Sequence, residues 1–179
     1  MTATQPADRV EDQTGGATGD EVDRIAQAWQ RERPDLDVDP LQVLSRVTRL
    51  SWHLDLARRQ AFAEHGLETW EFDVLAALRR SGPPYSLSPG ALGSETLVTS
   101  GTMTNRVDRL EDRGLVRRAP APTDRRGVRV GLTASGRAVV DAAMGDLLDR
   151  EQVLLSVLDP ADRADLAGLL RTLVRAFGD

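Results

Sequence analysis

Apolar side chains recur at helical spacing along most of this chain. In residues 21–33, Val22, Ile25, Ala26 and Trp29 fall at i, i+3, i+4 and i+7, on one face of a helix. The same periodicity, with Pro or a capping side chain at several starts, predicts helices over residues 21–33, 40–65, 68–80, 89–95, 99–113, 134–158 and 160–177. Residues 1–20 carry almost no large apolar side chain, so we expect a disordered N-terminal tail there.

The pattern changes in the middle of the chain. Residues 115–118 and 128–132 have the apolar pattern of short strands. Residues 119–127 between them are rich in Pro, Asp and Arg and suit a stiff turn. Residues 85–87 offer a third short strand. The predicted fold class is therefore mainly α with a small antiparallel β wing.

Charge is distributed unevenly along the sequence. The whole chain has a net charge of −5, yet the stretch from Gly101 to Val130 holds eight arginines against four acidic residues. A positively charged stretch in a negatively charged protein indicates a localised positive surface, of the kind that binds nucleic acid. The helix before the hairpin, residues 99–113, is the candidate recognition helix, since it starts with small polar residues that let a helix enter the DNA major groove. On the helix alone, an ordinary surface helix is an equally good interpretation. The candidate DNA-binding residues are Ser88, Thr99, Ser100, Gly101, Thr102, Thr104, Asn105, Arg109, Asp124, Arg125 and Arg126.

Several function classes lack the residues that they need. The chain has no cysteine, which excludes disulfides, thiolate metal sites and cysteine-based redox sensing. His53 and His65 are the only histidines, and no nucleophile motif such as G-x-S-x-G occurs. We therefore expect neither an enzyme nor a cofactor or metal. With no signal peptide and no apolar run of membrane-spanning length, we expect a soluble cytoplasmic protein. A helical protein-interaction module without DNA binding stays open as an alternative.

The flanking helices carry more apolar surface than one small domain covers. We expect residues 38–66 and 134–179 to form a homodimer interface around a winged helix-turn-helix DNA-binding domain at 67–133. Residues 21–37 form an additional N-terminal helix and connector, with Trp29 as its only large apolar anchor. A monomeric helical cap is the alternative. A twofold dimer should read a palindromic operator in double-stranded DNA, with half-sites ~10 bp apart.

The turn and the strand after it resemble a known family. Residues 124–133, DRRGVRVGLT, match the wing pattern D-x-R-x-x-x-V-x-L-T of MarR-family winged helix-turn-helix regulators. The resemblance extends from about Pro40 to the C-terminus. It implies a ligand-responsive transcriptional regulator, usually a repressor, that releases DNA when a small anion binds.

Residues 29–37, 71–85, 99–106 and 114–118 resemble the urate-responsive branch of that family, which also has the additional helix. An indole face and planar guanidinium donors suit a flat purine anion such as urate. Asp73 could balance the arginines in the empty site, so an incoming anion would compete with Asp73 and pull on the recognition helix through Arg106. The ligand residues implied are Trp29, Asp73, Arg106 and Arg118.

Each of these four residues has a simpler interpretation. Trp29 can anchor its own helix, and Asp73 and Arg106 can form a structural salt bridge. Arg118 can face solvent or contact a DNA phosphate, with Arg117 as a rival for its ligand role. The effector can equally be another purine, a small polycarboxylate or an aromatic natural product.

Overall fold

A computed structural model describes residues 19–121 and 127–178. Its elements follow the predicted order, with seven helices and three strands in these ranges. They are α1 (Glu21–Glu32), α2 (Asp39–Glu64), α3 (Thr69–Arg80), β1 (Ser86–Leu87), α4 (Pro89–Glu95), α5 (Ser100–Asp112), β2 (Val116–Pro120), β3 (Val128–Leu132), α6 (Ala134–Leu155) and α7 (Pro160–Arg175). The chain divides within α2, between Trp52 and His53, into two compact units. None of the helices in the described ranges is long and apolar enough to cross a membrane.

In the first unit, α1 is a short amphipathic helix with a capped start. The Asp20 carboxylate accepts from the backbone N–H of Val22 at 2.8 Å, and it also pairs with Arg46 of α2 at 2.9 Å. The prediction that Trp29 anchors this helix is wrong. Trp29 is 50 % exposed, whereas Val22 and Ala26 are the buried side chains of α1. The burial of α1 within this unit is therefore centred on its first two turns.

The core of the second unit forms around α3, whose contacts reach α6, α4, β1 and β3. Phe62 at the end of α2 stacks on Phe72 of α3, with ring centroids 3.9 Å apart. His65 and Asp146, 2.6 Å apart, join the end of α2 to α6. Contiguous burial of this size supplies most of the driving force for folding. The largest buried side chains include Phe62, Leu75, Leu78, Leu92, Met103, Leu110 and Val130.

The three strands form an antiparallel sheet in the order β1-β3-β2. Val116 pairs with Leu132, and Arg118 pairs with Val130, so alternate residues of β2 face the core. The predicted third strand is confirmed as β1, which is joined to β3. β2 continues two residues beyond its predicted end. The predicted wing-tip residues Asp124, Arg125 and Arg126 lie outside the described residues, as does most of the predicted N-terminal tail.

The turn between α4 and α5 departs from prediction at one position. The apolar pattern predicts that Leu92 and Leu97 both pack beneath the recognition helix. Leu92 is fully buried, but Leu97 is 93 % exposed and has a positive φ of 54°. The turn needs this left-handed residue to let the backbone N–H of Val98 donate to the carbonyl of Gly93 at 3.0 Å. The backbone conformation therefore directs the Leu97 side chain into solvent.

Candidate nucleic-acid interface

The helix-turn-helix consists of α4, the turn after it and α5. Ser88 caps α4, since its hydroxyl accepts from the N–H of Ala91 at 3.2 Å. Thr99 caps α5 in the same way through the N–H of Thr102 at 3.4 Å. These local hydrogen bonds satisfy amides that a helix start leaves unpaired. The hydroxyls of Ser88 and Thr99, both predicted to contact DNA, thus already have structural roles.

The two sides of α5 differ sharply in polarity. Met103, Val107 and Leu110 are buried at i, i+4 and i+7 and hold the helix on the core. The opposite side presents a polar surface free of bulky apolar groups. Its exposed residues, which include six of the predicted DNA contacts, are Ser100, Gly101, Thr102, Thr104, Asn105, Asp108, Arg109 and Asp112.

The guanidinium groups of two arginines of α5 lie over the ring of Trp70, at the start of α3. The guanidinium of Arg109 lies 4.7 Å from the centroid of the Trp70 ring, and that of Arg106 lies 5.4 Å from it. Glu68 holds both partners, because it accepts from Trp70 Nε1 and pairs with Arg109, each at 2.7 Å. Beside them is an open cleft of 510 Å³, lined by Trp70, Gly101, Thr102, Asn105, Arg106 and Arg109.

The apolar pattern of residues 68–80 predicts Trp70 as a core side chain and does not reveal its contact with the arginines. The side chain is half-buried, and its exposed face is what the arginines cover. A Trp in the first turn of a helix after a capping Glu is a weak signal by itself, because the arginines that it meets are more than thirty residues away.

Asp73 lies one turn after Trp70 on the same side of α3. Partial burial raises the pKa of Asp73, and the positive charges of Arg58, Arg106 and Arg80 offset part of that rise. Among the described residues, Asp73 and Arg106 do not form an ion pair within 4.0 Å. The two groups therefore interact at longer range, not through the direct salt bridge that the sequence allowed.

Arg118 of β2 faces a different side of α5. Its guanidinium pairs with Asp108 and Glu111, and its backbone N–H donates to Glu111 Oε1 at 2.8 Å. At about 100° per residue, Asp108 and Glu111 lie roughly 140–160° around the helix from Arg106. The structure thus brings Arg106 beside Trp70 and places Arg118 on the other flank of α5. Trp29 belongs to the first unit.

The outer face of the wing sheet carries two further arginines. Arg117 lies opposite Gly131, and Arg129 donates to the carbonyl and hydroxyl oxygens of Ser86. An open groove of 480 Å³ runs beside them. Arg129 therefore fastens β3 to β1, while Arg117 stays on the exposed side of β2.

The described residues do not include a cluster of His, Cys, Asp or Glu that could hold a metal ion. The chemistry of this surface is instead that of guanidinium groups, amides and hydroxyls around an exposed polar helix. Such groups bind phosphates and base edges of duplex DNA.

Comparison with known proteins supports this interpretation. Residues 65–127 match a family model described as the MarR family. The chain is 39% identical over 150 residues to the HTH-type transcriptional regulator PecS of Dickeya dadantii, covering 84% of this chain and 90% of PecS.

Two solved structures share the fold. BpsR of Bordetella bronchiseptica, whose DNA binding is described as regulated by 6-hydroxynicotinic acid, is 29% identical with a TM-score of 0.60, covering 74% of this chain and 92% of BpsR. A mutant of MarR from E. coli, in complex with operator DNA, is 26% identical with a TM-score of 0.61, covering 81% of this chain and 96% of that one. The chain belongs to the MarR family of winged helix-turn-helix transcriptional regulators, which bind DNA and are not enzymes.

Proposed function

We propose that this protein is a homodimeric repressor that binds an inverted-repeat operator and releases it when a flat organic anion, such as urate or another purine, binds. The observation that carries the proposal is the stacking of Arg106 and Arg109 on Trp70, with Asp73 one turn away. This arrangement supports an anion site on the recognition helix itself. Binding at the site would then act directly on the DNA-contacting surface.

DNA recognition is proposed to use the exposed polar side of α5 and the wing tip. Thr104 and Asn105 are exposed there and can reach base edges or phosphates. The arginines of the wing tip, Arg125 and Arg126, would add phosphate or minor-groove contacts. Affinity for the operator should fall steeply with salt, because Arg–phosphate contacts release counterions.

Homodimerisation is supported by apolar side chains that the single chain leaves exposed. In α7, which the structure describes in full, no residue is buried. The first unit exposes Val43, Leu44, Val47, Leu50 and Trp52, and the second exposes Leu148, Val153, Leu154, Leu169, Leu173, Val174 and Phe177. Exposed apolar surface of this extent is typical of an interface. We propose that residues 38–66 and 134–179 form it.

The effector site is proposed to include Asp73, Arg106 and, by family resemblance, Trp29 and Arg118. Arg106 offers planar paired donors, and a flat ring could stack on its guanidinium plane, which itself lies over the ring of Trp70. An anion would compete with the carboxylate of Asp73 for Arg106. Loss of the attraction between Asp73 and Arg106 would shift α5. The coupling free energy between two such sites is typically about 1–3 kcal/mol.

A hydroxylated heteroaromatic carboxylate is the second candidate for the effector. In BpsR, which is 29% identical to this chain, 6-hydroxynicotinic acid regulates DNA binding. Like urate, that compound is flat, anionic and rich in hydrogen-bonding groups, so the cleft beside Trp70 would suit either chemistry.

The proposal is tested by a thermal-shift screen of urate, xanthine, hypoxanthine, 6-hydroxynicotinate and citrate, followed by DNA-release titrations with each hit. We expect at least one flat anion to raise Tm and release the operator, and Arg106→Ala to need far more of it. Arg24→Ala on α1, which removes an exposed arginine elsewhere, is the matched control. Release of DNA from Arg106→Ala at the wild-type concentration would contradict the site.

A further inference from the structure

We infer that Arg118 is a positioning residue for DNA binding, because it neutralises two carboxylates on the recognition helix that would otherwise oppose the DNA phosphates. Arg118, Asp108 and Glu111 are named here the α5–β2 clamp. The inference rests on the DNA binding of the family, and it gives Arg118 a role in addition to the effector contact proposed for it by family resemblance.

The clamp joins the two DNA-contacting elements through three contacts. Arg118 Nη2 lies 2.5 Å from Asp108 Oδ1, and Arg118 Nη1 contacts Glu111 Oε2. The backbone N–H of Arg118 also donates to Glu111 Oε1 at 2.8 Å. A forked guanidinium held by two carboxylates has one defined orientation, so the positive charge of Arg118 stays beside both Asp108 and Glu111.

The carboxylates of the clamp sit beside the surface predicted to face DNA. Asp108 follows Thr104 and Asn105 by about one helical turn, and its side chain is 55 % exposed. Without a cation, a carboxylate at this position would meet the phosphates of a bound duplex. Like charges brought together at an interface weaken binding.

The electrostatics of the clamp agree with this role. Hydrogen bonds from the backbone and side chain of Arg118 lower the pKa of Glu111. Burial works to lower the pKa of Arg118, but its bonds to Asp108 and Glu111 outweigh burial and raise it. One guanidinium and two carboxylates give the clamp a formal net charge of −1, which becomes −2 when Arg118 is lost.

A residue that served only the effector would leave operator affinity unchanged when removed. A residue that contacts phosphate directly would lower affinity whatever its neighbours are. The clamp predicts a third behaviour, in which the loss caused by removing Arg118 disappears once the two carboxylates are also removed.

The experiment is a mutant cycle on the full-length protein, with operator affinity measured by fluorescence anisotropy at several salt concentrations. We expect Arg118→Ala to weaken binding by about tenfold or more at low salt. The combination Arg118→Ala with Asp108→Asn and Glu111→Gln should bind within about threefold of wild type, since a merely structural tether would not be rescued by deleting its partners. Asp108→Asn with Glu111→Gln alone should not weaken binding.

Two results would overturn the inference. One is unchanged affinity in Arg118→Ala, and the other is an equal loss in the single and the triple variant, which would make Arg118 a direct DNA contact or a structural tether. If Arg118→Ala does not fold, as judged by circular dichroism, Arg118→Gln replaces it in the same cycle. The effector screen uses no part of this cycle, so either proposal can fail without the other.

Discussion

Arg113, the residue that ends the recognition helix, forms an ion pair with Glu71, the one buried charged side chain in the described part of the chain. Arg113 Nη1 lies 2.5 Å from Glu71 Oε2, and Arg113 Nη2 donates to the carbonyl of Gly66 at 2.9 Å. Glu71 also accepts from the backbone N–H of Glu68 at 2.9 Å, which completes the cap of α3. The pair thus fastens the end of α5 to the start of α3.

Arg113→Met should destabilise the protein, because it leaves the carboxylate of Glu71 buried without its cation. Breaking a buried pair costs several kcal/mol, but Arg113 is 41 % exposed, so we expect a loss of about 2 kcal/mol in the free energy of unfolding. Urea denaturation measures it. Arg109→Met, whose partner Glu68 is exposed, is the control and should shift the urea midpoint much less.

Gly136→Ala should be strongly destabilising. A Cβ at this position would lie 1.9 Å from the carbonyl oxygen of Leu115, so α6 or β2 would have to move. Gly145→Ala is the matched control on the same helix, because nothing lies within 4 Å of its added Cβ. Helix propensity predicts that the control gains about 0.5–1 kcal/mol. Thermal melts that showed equal Tm values for the two variants would contradict the close approach.

Asp73→Asn should raise stability slightly at neutral pH. The folded pKa of Asp73 lies above its ordinary value of 3.8, so the folded state holds this proton more tightly than the unfolded chain does. Stability contributed by the protonated form is therefore lost as pH rises from about 4 through the folded pKa. The Tm of Asp73→Asn should exceed that of the wild type by a growing margin as pH rises from 4 to 7. A margin that narrows over this range would contradict a raised pKa of Asp73 in the folded state.

Arg126→Ala should weaken operator binding and reduce the slope of log affinity against log salt by about two units per dimer. The physical reason is the loss of one counterion-releasing contact at each of the two wing tips of the proposed dimer. Anisotropy titrations at several salt concentrations measure the slope. The control is Arg24→Ala on α1, which should leave the slope at its wild-type value, and an unchanged slope in Arg126→Ala would exclude the wing tip from the interface.

Leu169→Glu should convert the proposed dimer to a monomer, because it places a charge on an apolar side chain that the single chain leaves exposed. Light scattering should report the lower mass, and operator affinity should fall with it. Leu97→Glu is the same substitution at an exposed leucine in the turn before α5, outside both proposed dimerisation segments. It should stay dimeric, and a dimeric Leu169→Glu would argue against α7 as the interface.

The sequence by itself determined the order of the elements and where most of them begin. These features depend on local interactions, which reach only three or four residues along the chain. Thr99, Thr133 and Asp159 each cap a helix through an amide three residues on, and such spacings are visible in the sequence. The buried face of α5 and the two longer strands of the wing can be predicted for the same reason, since both are visible as local apolar periodicity.

Only the tertiary structure decided how the arginines are used. Arg118 meets Glu111 because β2 folds back along α5, and Trp70 meets Arg106 because the fold brings the start of α3 within side-chain reach of α5. Sequence spacing does not predict either contact, because an arginine side chain is long enough to reach any of several carboxylates. Leu97 shows the converse, since its apolar side chain predicts burial while the left-handed backbone of the turn directs it into solvent.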